Sequence, residues 1–367
     1  MKASPRWLVP LGVGGVVLLG ATVGSAVTAG ATPELAPRTA QELLVQVANA
    51  HPAGFSGTVE QRADLGLPSL PTPPGISTSV LGLLAGTHSL RVAYADRDHV
   101  RVGLLAPLAE TEIIHSGSDL WTYDSAKNAV THTTVAPQPA EPPTGPTAAT
   151  APGLPPTPES LAAQVLAAID PTTEVSVGRN DEVANRPAYD LVLTPKSPAS
   201  LIAVVSLAID AESGMPLRVS VTARGHSTPS LVSGYSSLDP KVPDASTFAF
   251  APPPGASVKE GGSGPHLGSG GTEQGQQDPQ ARPSDQPKLI GTGWEAVVLI
   301  TGVSQSSGQL PAQTRSLLAL GQQVSGAFGT GRLFRTTLLT ALLTDDGRLY
   351  AGAVTPEAIQ AAAAPRP

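Results

Sequence analysis

The chain has no cysteine. That excludes disulfides, thiolate metal sites, a cysteine nucleophile and the acylated cysteine of a bacterial lipoprotein. It is also sparing with charge and with aromatic rings: 14% of its 367 residues are charged and 4% aromatic. Basic residues are the scarcer sign, 22 against 29 acidic for a net of −7, which argues against the positive footprint of a nucleic-acid binder. Missing too are the patterns of catalysis. There is no His-Glu-x-x-His, and the seven histidines (51, 88, 99, 115, 132, 226 and 266) show no ligand spacing. Gly225-His226-Ser227 begins like a nucleophile elbow, but Pro229 stands where the closing glycine is required. The glycines of Gly326–Gly331 lack the Lys-Ser/Thr of a phosphate loop, and Asp345-Asp346-Gly347 reads more simply as a hairpin turn than as a metal loop. The expectation is a protein that is not an enzyme and needs neither cofactor nor metal.

What is plentiful is glycine and proline, 38 of each, about a fifth of the chain and hence suited to linkers between folded parts. Hydrophobic residues make up 40%, a globular balance, and the length suffices for one large or two ordinary domains. Lys2 and Arg6 precede a run from Trp7 to Ala31 without a single charge. A basic start, an apolar run and the small residues Ala29-Gly30-Ala31 make residues 1–38 an export signal, either cleaved or kept as a membrane anchor, so the remainder faces out of the cytoplasm.

From Thr39 to Ala50 the apolar residues recur at helical spacing, with Thr39 as N-cap. Phe55–Gln61 alternates as a strand, while Leu67–Leu84 carries four prolines among apolar residues and reads as a mobile insertion. A hairpin turns at Asp96-Arg97-Asp98; Val100, Val102 and Leu104 share one face of its second strand and Arg101 takes the other. Glu110–His132 reads as three short strands with tight turns, expected to spend its aromatics, Trp121 and Tyr123, on one face. His115 and His132 flank that aromatic strand and read as exposed strand histidines with no carboxylate beside them. A Pro-rich loop, 135–158, leads to a helix with Thr157 as cap and Pro158 in its first turn. Strands then recur from Thr173 to Phe250, the clearest hairpin being Leu201–Ala223. Residues 257–288 read as a disordered linker, and 289–367 as a small α+β domain of order βαββα with a strand at Trp294–Val303 and a helix at Pro311–Phe328.

With catalysis excluded, binding remains. Antiparallel strands with one apolar face, covered by amphipathic helices, make a concave apolar pocket. Its candidate lining is Phe55, Tyr94, Leu104, Ile113, Trp121 and Tyr123; the competing reading is that these residues merely pack a core.

The helix followed by Phe55-Ser56-Gly57-Thr58-Val59, then His99-Val100-Arg101-Val102, then Ile114-His115-Ser116-Gly117-Ser118-Asp119-Leu120-Trp121-Thr122-Tyr123-Asp124, resembles the lipoprotein-carrier superfamily. That superfamily includes LolA, LolB, the LppX-type carriers and the sigma-E regulators of the RseB/MucB type. Ile209-Asp210-Ala211-Glu212-Ser213-Gly214-Met215-Pro216-Leu217-Arg218 resembles its later hairpin. The resemblance spans about residues 40 to 255. It implies an α+β fold for residues 39–256: an incomplete antiparallel β-barrel covered by helices, holding acyl chains or a lipidated partner. By the same resemblance Trp121 and Tyr123 match an aromatic strand, and Arg101 a strand arginine that helps to hold the lid. Implied partners are lipid or lipoprotein acyl chains at a membrane or, in the regulatory branch, a membrane anti-sigma factor.

Overall fold

The computed structural model describes residues 35–66, 86–135, 155–261, 287–302 and 321–364. All of the expected export segment but residues 35–38, the whole of the Pro-rich insertion and the central part of the Pro-rich loop lie outside them. The protein is mostly β, with few helices and an open, unclosed main sheet.

The chain enters through α1 (Ala40–Ala48), where Thr39 and Glu42 form the reciprocal capping box. Six strands follow: β1 (Phe55–Ala63), β2 (Gly86–Asp96), β3 (His99–Ala106), β4 (Ala109–Ser116), β5 (Asp119–Asp124) and β6 (Ala129–Thr134). After α2 (Pro158–Ala167), capped by Thr157 with Pro158 in its first turn, come β7 (Thr173–Val177), β8 (Asp181–Val183), β9 (Arg186–Pro195), β10 (Ile202–Asp210), β11 (Pro216–Ala223) and β12 (Leu231–Asp239). A short 3₁₀ turn at Ala245–Phe248 replaces the strand expected at Thr247–Phe250, and β13 (Ser257–Glu260) closes the series. The spatial order is β13-β6-β5-β4-β3-β2-β1-β12-β11-β10-β9-β7, with β8 also on β9. Every pairing in it is antiparallel except β13 on β6. Residues 257–260, expected in the linker, are therefore an edge strand.

The hairpin β10–β11 follows the alternation in its sequence. Leu207 lies opposite Val219 and Val205 opposite Val221, all buried against Leu43 and Val47 of α1 and Leu161 and Val165 of α2. Its turn is fixed by Asp210, whose carboxylate accepts two bonds from Arg186 (both 2.8 Å) and two from Ser213 (backbone N 2.8 Å, Oγ 2.6 Å). Gly214 closes that turn at φ +75°, where a Cβ would stand 2.8 Å from Cγ of Gln46 on α1.

A second sheet holds β14 (Lys288–Ile290), β15 (Val297–Ile300), β16 (Gln322–Gly326), β17 (Gly329–Arg335), β18 (Thr340–Thr344) and β19 (Leu349–Gly352), in the order β14-β15-β19-β18-β17-β16, with α3 (Pro356–Ala363) against β18 and β19. Residues 322–326 of the expected helix are β16; the part of that helix before residue 321 lies outside the described residues. The alternation Gln322-Gln323-Val324-Ser325-Gly326 carries no helical stripe, and its register against β17 accounts for the strand. The second sheet is tied to the first. Trp294, expected in a strand, sits in a 3₁₀ turn, is 6% exposed within the α1/α2 core, and donates its indole N–H to Thr173 Oγ1 at 2.8 Å. Leu201 and Thr355 donate backbone bonds to Ala353 and Ala199 across the junction.

Candidate functional site

Residues directly opposite each other in an antiparallel pair point to the same side, so the register assigns every side chain to a face. Phe55 pairs with Tyr94, Tyr94 with Val100, Leu90 with Leu104, and Val102 with Ile113. These residues make one apolar face; Phe55, Leu90, Val102 and Leu104 are buried, with Tyr94 and Ile113 partly so. Phe55 stacks on Tyr94 at 5.6 Å and meets Tyr235 edge-on at 6.1 Å. On the other face Arg101 pairs with Ile114, Ile114 with Trp121, Trp121 with His132, and Glu112 with Tyr123. The six expected lining residues therefore divide. Phe55, Tyr94, Leu104 and Ile113 share the apolar face, while Trp121 and Tyr123 lie with Arg101 on its reverse. Trp121 and Tyr123 do share one face, as expected of their stretch, but it is the reverse of the one that holds Phe55 and Tyr94.

The two faces are finished differently. α1 packs on β7 and β9, and α2 on β11 and β12; beside them the apolar wall of β1–β4 packs with Val183, Ala188, Met215, Leu217 and Tyr235. At the seam between wall and helix, Tyr235 donates its hydroxyl to Glu159 Oε1 at 2.7 Å. Glu159 is 2% exposed, and its other oxygen has no hydrogen-bond partner among the described residues. Burial pushes this carboxyl above its ordinary value and the Tyr235 phenol well above its own.

The reverse face is crossed by the segment that links β12 to β13. Arg101 donates three bonds of 2.8–3.1 Å to the Glu112 carboxylate and one of 3.0 Å to the Thr247 carbonyl. Phe248 packs on His99, and Phe250 lies 5.5 Å from Trp121 and 6.0 Å from Tyr123. Trp121 stacks flat on His132, with ring centroids 3.9 Å apart and planes at 17°. The His132 ring is bonded at both nitrogens, Nε2 to Asp119 at 2.7 Å and Nδ1 to Glu260 on β13 at 2.9 Å. The bond to Asp119, reinforced by Glu260, raises its pKa above the ordinary value, and neither nitrogen is left for a metal. The sequence reading had His132 without a carboxylate. Its partners come from the next strand and from a segment expected to be linker. His115, opposite Leu120, points to the apolar face and does not meet it. Beside Arg101 a groove of about 550 Å³ has a mixed lining, in which Ser56, Thr58, Arg91 and Asp239 alternate with Val92, Ala93 and Leu238. A second groove, of about 760 Å³, runs along α1.

Solved structures similar to this chain include MucB in complex with MucA(peri), at 12% identity and TM-score 0.45, covering 89% of this chain and 97% of that one. Another is the MucA/MucB complex of Pseudomonas aeruginosa, at 14% identity and TM-score 0.44, covering 89% and 98%. A LolA-superfamily protein from Nitrosomonas europaea matches at 14% identity and TM-score 0.24, covering 58% and 99%. No family model and no curated protein matches the sequence. Among the described residues no helix is long and apolar enough to cross a membrane.

Proposed function

We propose that this chain is an extracytoplasmic, non-enzymatic binding protein that takes lipid or lipoprotein acyl chains against the apolar face of β1–β4, as a LolA-like half-barrel. The observation that supports it is the division of the main sheet. α1 and α2 pack on the strands from β7 to β12, while Phe55, Leu90, Leu104 and their neighbours form an apolar wall alongside. Each methylene buried against such a wall contributes about 0.8 kcal/mol, so an acyl chain of about twelve carbons brings roughly 10 kcal/mol before ordering costs. The uncharged run from Trp7 to Ala31 supports export, whether cleaved or retained. Lipid extraction and mass spectrometry of the protein purified from its membrane fraction tests the reading. Stoichiometric acyl lipid is expected, and protein that is empty in every preparation sinks it.

A second reading, an RseB/MucB-like regulator that binds an anti-sigma factor or other membrane protein, is favoured by the charged side chains in the groove on the reverse face. Arg91, Arg101, Glu112 and Asp239 suit a polar polypeptide there and do not suit an acyl chain. Crosslinking from Thr58 in intact membranes separates the two: a protein adduct supports the regulator, and recovery of lipid alone counts against it.

A further inference from the structure

The strand β13 meets β6 in an unusual way. It is four residues long, runs parallel to β6, and all four residues are exposed. Beyond its four-residue ladder with β6, its grip includes backbone bonds at its ends, Ser257 N–H to the Asn128 carbonyl (2.9 Å) and Gly261 N–H to the His132 carbonyl (2.6 Å), and the Glu260 carboxylate on His132. Gly261 is fitted to its place, since a Cβ there would run into Thr133 Oγ1. The receiving edge is better built than its occupant. His132 is held flat by Trp121 and oriented by Asp119, so Nδ1 points to the one position on the incoming strand where a carboxylate belongs.

We propose that the outer edge of β6 is a docking site for an extended peptide strand that sets one carboxylate against His132, and that Ser257–Glu260 fills it in cis until a partner strand of the same pattern replaces it. Main-chain bonds supply the affinity of such strand addition and the side-chain contact its specificity. The partner must run parallel to β6, place Glu or Asp against His132, and carry glycine one residue later. Its chemistry follows from charge: of the groups facing His132, Asp119 on β5 and the incoming carboxylate are the charged ones, and Glu112 on β4 is already taken by Arg101. The contact is strongest with His132 protonated, so docking tightens below the raised pKa of this histidine and loosens as pH rises through it. This inference is independent of acyl-chain binding, which uses the opposite face.

The test uses the full chain carrying Glu260→Lys and Gly261→Pro, which removes the cis carboxylate and one edge bond. The probe is a fluorescein-labelled, N-acetylated peptide of residues 256–261 (Ala-Ser-Val-Lys-Glu-Gly), followed by anisotropy at pH 5.5 and 8.5. The variant is expected to bind it at least tenfold more tightly than the unaltered chain, and at least tenfold more tightly at pH 5.5 than at pH 8.5. A peptide with glutamine for its glutamate should lose that pH dependence. Absence of saturable binding, equal binding to both chains, or pH-independent binding overturns the proposal. Hydrogen exchange on the otherwise intact His132→Gln chain checks it without relying on the double variant. The Ser257 and Gly261 amides should exchange at least tenfold faster than in the parent, and unchanged exchange refutes the clamp.

Discussion

Replacing Asp210, a buried carboxylate at the β10–β11 turn, by alanine should destabilise the main sheet strongly. The side chain is 1% exposed, and its two oxygens accept four bonds, two from Arg186 and two from Ser213. Burial raises the energy of this carboxylate, but the Arg186 and Ser213 bonds overcome it and hold the pKa below the ordinary value. Removing the anion leaves the largely buried Arg186 guanidinium with only Glu212, an exposed partner, so the loss is that of breaking a buried pair, about 3–5 kcal/mol. Urea unfolding followed by tryptophan fluorescence should show a lower midpoint with an unchanged slope. Glu212→Gln is the control, expected to cost under about 0.5 kcal/mol because its side chain is 85% exposed. Because the folded-state pKa is depressed, the contribution of Asp210 is present above its unfolded pKa and lost as pH falls through the folded one. The difference between parent and alanine variant should therefore shrink in acid. An alanine variant within about 1 kcal/mol of the parent at pH 7, or a gap that widens on acidification, refutes this account.

Glu159 should behave in the opposite sense. Its pKa is raised by burial, so stability is greatest below the ordinary carboxyl value and falls as pH rises towards the folded one; Glu159→Gln, which keeps an acceptor for Tyr235, should flatten that fall in a pH series of thermal melts. Trp294→Ala should cost about 3–5 kcal/mol and uncouple the two sheets, seen as faster exchange of the Leu201 and Thr355 amides that bridge them. On the two-face reading, Leu104→Glu should abolish bound lipid while Trp121→Ala leaves it in place, measured by extraction and mass spectrometry.

Much of the fold was legible because short-range chemistry decided it. Thr39 with Glu42, Thr157 with Pro158, and the period-two runs on either side of Asp210 each specify one local structure, and the observed elements follow them to within a residue or two. Where the reading failed, the deciding contact was distant in sequence. Ser257–Glu260 is a strand only because β6 offers an edge to it, and nothing in Ser-Val-Lys-Glu announces that. Trp294 leaves its strand because the α1/α2 core accepts its ring.

The candidate site was legible residue by residue but not as an arrangement, because alternation within a strand says which side chains share a face without saying which face the next strand matches. That parity is set by the turn. Gly117 and Ser118 form a two-residue loop, with Gly117 at φ +64°, so Ser116 faces Asp119 and, counting back, Ile114 faces Trp121. The turn at Pro107-Leu108, with Leu108 at φ +86°, likewise places Ala106 opposite Ala109 and Arg101 opposite Ile114. The two counts together put Trp121 beside Arg101 and on the reverse of Leu104 before any packing is considered. Asp119 then falls on the Trp121 side by period two, which brings a carboxylate to His132 from the same strand pair. Only Glu260, 128 residues further along the chain from His132, lay beyond such counting.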